Sequence, residues 1–173
     1  MNHRRKFLQL SAAASLAGTS LSAAAAARKE KAPQYIDSVT SLINDWKRKD
    51  IPAVLARVTD DIAWHSHVGS PPILGKDGMR GVLTAFADQM SEIRWRIFNH
   101  AQSDTRILLE GADDFVTKEG RRVQTPYMGI MVFRGKLIAE WRDYFDRGLF
   151  DKLKAGEPVP DYIAPLTARP GIP

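Results

Sequence analysis

The chain has 173 residues, a length that suits a single domain. Hydrophobic residues make up 44% and charged residues 26%, the balance of a folded domain, which excludes disorder along the whole length. Cysteine is absent, so disulfides, thiolate metal sites and a cysteine nucleophile are excluded. The net charge of +5 is weighted to the start, leaving too little elsewhere for a nucleic-acid-binding face.

Residues 1–27 carry Arg4, Arg5 and Lys6, then an Ala-, Leu- and Ser-rich run that ends in small residues from Ser22 to Ala27. A basic start, an apolar middle and an A-x-A-like end are the parts of an export signal. Arg4-Arg5 followed by Phe7-Leu8 resembles the twin-arginine motif, so delivery to the periplasm or outside the cell is expected. Ser11, Ser15, Gly18, Thr19, Ser20 and Ser22 interrupt the run, which argues against a stable membrane anchor.

Residues 28–155 are expected to form the domain. Tyr35, Ile36, Val39, Leu42, Ile43 and Trp46 follow one face of a helix over 33–50. Asp50-Ile51-Pro52 breaks it, and a short helix is expected over 53–58. A strand is read over 62–68 and a loop at Ser70-Pro71-Pro72. Met79, Val82, Leu83, Phe86 and Met90 mark another helix over 76–90. The period then changes. Strands are expected over 93–98, 106–116, 122–133 and 137–145, forming an antiparallel meander, with a short helix over 147–154. Arg94 and Arg96, which flank Trp95, read as solvated. Residues 156–173 hold five of the ten prolines and are expected to be an extended, mobile tail. Helices first and a strongly curved, mainly antiparallel sheet afterwards make an α+β cone with an apolar cavity.

The chemistry concentrates in Trp141-Arg142-Asp143-Tyr144-Phe145-Asp146. On a strand, Trp141, Asp143 and Phe145 share a face, and an acid between two aromatics is desolvated. Such a carboxyl can act as general acid or base near neutral pH. In the preceding acid-bearing strand, Leu109, Gly111, Asp113 and Phe115 share a face, which makes Asp113 the inward acid and leaves Glu110 and Asp114 outside.

These residues resemble the limonene-1,2-epoxide hydrolases and their SnoaL-like relatives, in the nuclear transport factor two superfamily. The likeness rests on the WRDYFD run at 141–146 and on Glu110-x-x-Asp113-x-Phe115. Gly120-Arg121-Arg122-Val123, Pro126-Tyr127-Met128-Gly129 and Gly135-Lys136-Leu137-Ile138 extend it. It implies a cone-like fold and a cofactor-free, metal-free hydrolysis of an epoxide. By that resemblance Asp143 takes a proton from water, Asp113 protonates the departing oxygen, and Trp141 is a pocket aromatic. Met128 and Phe145 are further candidates for the pocket.

Two positions depart from the pattern. The family's arginine between the acids is Gly111 here, and Gly111→Arg is expected to restore it. The family's water-holding Tyr-x-Asn is replaced within Trp64-His65-Ser66-His67, by Trp64 and Ser66 or by His65 and His67. Either histidine could stand in for the arginine, and the pair could bind a metal; two histidines lining a wet pocket is the plainer reading. The expectation is an exported hydrolase, or a related acid–base enzyme, acting on a small apolar substrate, with epoxide hydrolysis weak or absent because Gly111 replaces the arginine. An isomerase or cyclase, or a non-catalytic binding or dimerisation module, stays open, as does a homodimer.

Overall fold

A computed structural model describes residues 34–172; the export signal expected over 1–27 lies outside them. Helix α1 (Tyr35–Lys47) buries Tyr35, Val39, Leu42 and Ile43, the stripe that the spacing predicts. Helix α2 (Ile51–Ala56) starts where the Asp50 carboxylate accepts the Ala53 N–H at 3.1 Å. Pro52 sits in its first turn, where a missing N–H costs little.

Strand β1 (Val58–His65) begins earlier than expected, so the helix predicted over 53–58 is shifted two residues towards the start of the chain. The reason is pairing: Val58 faces Ile138 in the sheet, and the Arg57 carbonyl accepts the Ile138 N–H at 2.9 Å. A two-residue strand, β2 (Ile73–Leu74), pairs with β1, and helix α3 (Gly75–Gln89) follows, burying Met79, Leu83 and Ala87.

The single strand expected over 93–98 is two strands, β3 (Met90–Ile93) and β4 (Arg96–Ser103). Both pair antiparallel with β5 (Arg106–Thr117), one at each end of it. The chain bends between them at Arg94-Trp95, where the Arg94 N–H reaches the Asp114 carbonyl at 2.7 Å. Strands β6 (Arg122–Arg134) and β7 (Leu137–Tyr144) complete the meander, and β1 joins β7 in parallel. The seven strands run β2-β1-β7-β6-β5-β3, with β4 also on β5. Helices α1, α2 and α3 share their core with the concave face, and the fold is an α+β cone. Helix α4 (Arg147–Ala155) is capped by the Asp146 carboxylate, which accepts the Leu149 N–H at 3.0 Å.

The tail is neither extended nor loose. It carries a short helix, α5 (Ala164–Thr167), and buries Ile163 and Thr167. Ile172 packs against the main core, and its N–H donates to the Ile97 carbonyl at 2.7 Å. Arg96, expected in solvent, instead donates to the carbonyls of Thr167 and Arg169 at 3.0 and 3.1 Å. The Arg169 guanidinium covers the Phe98 ring at 4.4 Å and pairs with Glu110. Asp114, on the outward face of β5, is itself buried beneath Arg96, Arg122 and Gln124. Among the described residues, no helix is long and apolar enough to cross a membrane.

Candidate active site

Strands β5, β6 and β7 lie side by side, and their register decides which side chains meet. Asp113 stands opposite Thr125, Gly111 opposite Tyr127, and Gly129 opposite Asp143. Alternation then turns Asp113, Tyr127, Trp141 and Asp143 to the concave side. There they border a cavity of about 230 Å³. That is below the roughly 300–1,000 Å³ of sites for drug-sized ligands, so the cavity suits a small molecule. Its walls are largely aromatic: Trp64 from β1, Trp95 from the bend, Phe86 from α3, Phe115 from β5 and Phe150 from α4. Trp95 stacks on Trp141 with ring centres 5.5 Å apart and meets Tyr127 edge-on at 5.3 Å. Trp64 tilts against Trp141 at 5.4 Å.

The two acids are treated differently by their surroundings. Asp143 accepts three hydrogen bonds from neutral donors. Trp64 Nε1 donates to Oδ2 at 2.9 Å, while Tyr127 Oη and Trp141 Nε1 donate to Oδ1 at 2.7 and 2.5 Å. No side chain among the described residues donates to Asp113. Burial raises the Asp143 carboxyl to about 7, with the Tyr127, Trp64 and Trp141 donors pulling against that rise. Burial, and then the charge of Asp143, raises Asp113 to about 8. Burial first, then the neighbouring Asp143, holds the Tyr127 phenol well above its ordinary value, so it remains a donor. The three donors favour the ionised form of Asp143, so when the pair holds one proton it sits on Asp113.

A carboxylate offers about four acceptor positions. Asp143 uses two on Oδ1 and one on Oδ2, which leaves one on Oδ2. Ser66 lines the same cavity, and the exposed Arg147 stands at its border, paired with Asp151 at 3.0 Å.

The structure brings Asp113, Asp143, Trp141, Trp64, Ser66 and Phe145 to one cavity. It does not bring the others. His65 and His67 are absent from the lining, because β1 turns Trp64 and Ser66 inward and alternate residues the other way. His67 packs edge-on against the Phe145 ring at 5.3 Å. Neither histidine acts on the charge of Asp113 or Asp143 in place of an arginine. Met128 is also corrected: it follows the inward Tyr127, so it lies on the outer face and is 56% exposed. Tyr127 and Trp95 are the participants that sequence reasoning missed. The spacing of Tyr127 and Gly129, on one face and two apart, was the available signal for the first. Among the described residues, no three metal-ligating side chains cluster.

A search of curated proteins finds no match. Solved structures do match. The chain is 24% identical to an LEH-like epoxide hydrolase from M. tuberculosis, with a TM-score of 0.61, over 69% of this chain and 87% of that one. It is 20% identical to an NTF2-like protein of unknown function from Burkholderia pseudomallei, with a TM-score of 0.62, over 69% and 95%. A proposed polyketide cyclase from Xanthomonas campestris pv. campestris is 18% identical, with a TM-score of 0.62, over 69% and 96%. At these identities the likeness is one of fold. The SnoaL-like domain matches residues 39–141, more than half of the sequence, and the chain belongs to that family.

Proposed function

We propose that this chain is an exported acid–base enzyme that adds water to an epoxide in a small, mostly apolar molecule. One observation carries the reading. Two carboxyls border one aromatic cavity, and among the described residues the side-chain donors fall on one of them. That asymmetry supplies a base and an acid at the same pH.

Ionised Asp143 accepts a proton from water through its free position on Oδ2. The water oxygen attacks an epoxide carbon as the carbon–oxygen bond breaks. The departing oxygen takes the proton of Asp113, and a vicinal diol results. Asp143 then holds the proton and Asp113 is ionised, so one proton transfer between them resets the site. The steps need no cofactor. The M. tuberculosis structure of the same fold, described as an epoxide hydrolase, lends this chemistry support by analogy.

One observation favours a second reading, an isomerase or cyclase in which Asp143 takes its proton from the substrate. The Trp64 N–H is spent on Asp143, which leaves Ser66 as the side chain free to steady a water. The proposed cyclase among the structural neighbours has the same fold. A panel of small cyclic epoxides, assayed in ¹⁸O-labelled water, separates the two. Labelled diol that disappears in Asp143→Asn supports hydrolysis. Rearranged product without label supports the second reading, and tight binding without turnover of any substrate leaves a binding module.

A further inference from the structure

Two acids in one apolar cavity need something to decide which of them keeps the proton. Among the described residues, no cation reaches between them. An added Cβ at Gly111 would overlap the Arg96 carbonyl oxygen and stand 3.1 Å from the Ile97 Cα, so β5 can place no side chain at that point. Its partner across the ladder is Tyr127.

Tyr127 leans along β6 over Gly129, the residue that faces Asp143. A Cβ on Gly129 would overlap the Tyr127 hydroxyl and stand 2.6 Å from its Cζ, so the ring occupies the room that this glycine leaves. The edge contact with Trp95 pins the ring, and Trp141 Nε1 lies 3.3 Å from the hydroxyl. The hydroxyl thus has one place to donate, Asp143 Oδ1 at 2.7 Å.

We propose that Tyr127, seated over Gly129, is a positioning residue that does the work of the missing cation and makes Asp143 the base of the pair. This rests on the acid–base reading above. The other groups facing Asp143 across the cavity are the Trp64 and Trp141 N–H donors, Asp113 and Asp114 from β5, the latter paired with Arg96 and Arg122, Ser66 beyond β1, and Arg147 at the cavity border from α4. Helices α1, α2 and α3 and strand β3 present only apolar and indole side chains to it.

The test is Tyr127→Phe, which keeps the ring and removes the donor. The midpoint of Asp143 is followed by infrared titration of ¹³C-labelled Asp carboxyls, assigned with Asp143→Asn. Losing a hydrogen bond to a charged group should raise that midpoint by about one unit. The acidic limb of the pH–rate profile should move up equally, which narrows the bell against the limb on which Asp113 loses its proton. Gly129→Ala should produce the same displacement with the tyrosine still present; if that variant does not fold, Tyr127→Phe decides alone. A folded Tyr127→Phe protein whose Asp143 midpoint stays put overturns the inference. A shifted midpoint in a protein that turns over no substrate upholds it and removes the enzymatic reading instead.

Discussion

Gly111 lies against the backbone of Arg96 so closely that a Cβ would overlap the Arg96 carbonyl oxygen and stand 3.0 Å from its carbonyl carbon. The contact falls beside an irregularity in the β4–β5 ladder, between Ile97 and Asn99. The glycine is therefore a packing requirement of the bend that carries Trp95, and the room for an arginine is not there.

The expectation that Gly111→Arg restores a bridge fails on this geometry. Gly111→Ala alone should destabilise the protein by roughly 2–4 kcal/mol, since the clash is with backbone that cannot rotate away. Denaturant unfolding measures it. Gly111→Arg should lose at least as much stability and gain no activity.

The tail predicts a second loss. Deleting residues 157–173 removes the cover from Phe98, the carbonyls that Arg96 holds, and Ile172 from the core. Burying one large apolar side chain is worth about 1.5–3 kcal/mol, so Tm should fall by about 5 °C or more. A deletion that leaves thermal unfolding unchanged would show that the tail only rests on the surface.

Much of this was readable beforehand, for reasons of periodicity. The alternation Trp141, Asp143, Phe145 marks a concave face because a strand has only two sides. Leu109, Gly111, Asp113 and Phe115 do the same on β5. What could not be read depends on partners far apart in sequence. The reach of Tyr127 follows from the register that sets Gly129 against Asp143, and no local pattern contains a register. The parallel pairing of β1 with β7 has the same origin. The prolines of the tail misled differently, since they forbid ladders and long helices but do not forbid packing. Met128 was misread because its neighbour Tyr127 is the residue that points inward.

The export proposal rests on Arg4 and Arg5, which lie outside the described residues. Replacing both with lysine keeps the charge and removes the twin-arginine pair. The precursor should then stay in the cytoplasm, as cell fractionation with an immunoblot would report. Undiminished delivery to the periplasm would exclude twin-arginine export.

Stability should depend on pH through the two acids. Both are raised far above their ordinary carboxylate values, to about 8 for Asp113 and about 7 for Asp143. The native state therefore holds protons that the unfolded state has lost, from about pH 4 upward. Stability should fall as pH rises through this window and level off above about 8. Asp113→Asn removes one of these groups, so it should raise Tm by several degrees at pH 8 and by little near pH 4. Equal effects at both pH values would mean that Asp113 is not carrying the proton.

Activity, if it follows the proposed chemistry, should be confined to a narrow band. The base form of Asp143 appears as pH rises through about 7, and the acid form of Asp113 is lost as pH rises through about 8. The rate profile should be a bell with its maximum between those values, its two limbs belonging to the coupled pair. Asp143→Asn cannot accept the proton of water, and Asp113→Asn cannot give one to the departing oxygen. Each should cost about 10²–10⁴-fold in kcat, the usual contribution of a positioned acid or base. Binding should survive in both, because the aromatic walls that hold an apolar molecule are untouched, and quenching of Trp64, Trp95 or Trp141 fluorescence can follow it. A flat profile from pH 5 to 9, with kcat undiminished in Asp143→Asn, would place the chemistry elsewhere in the molecule.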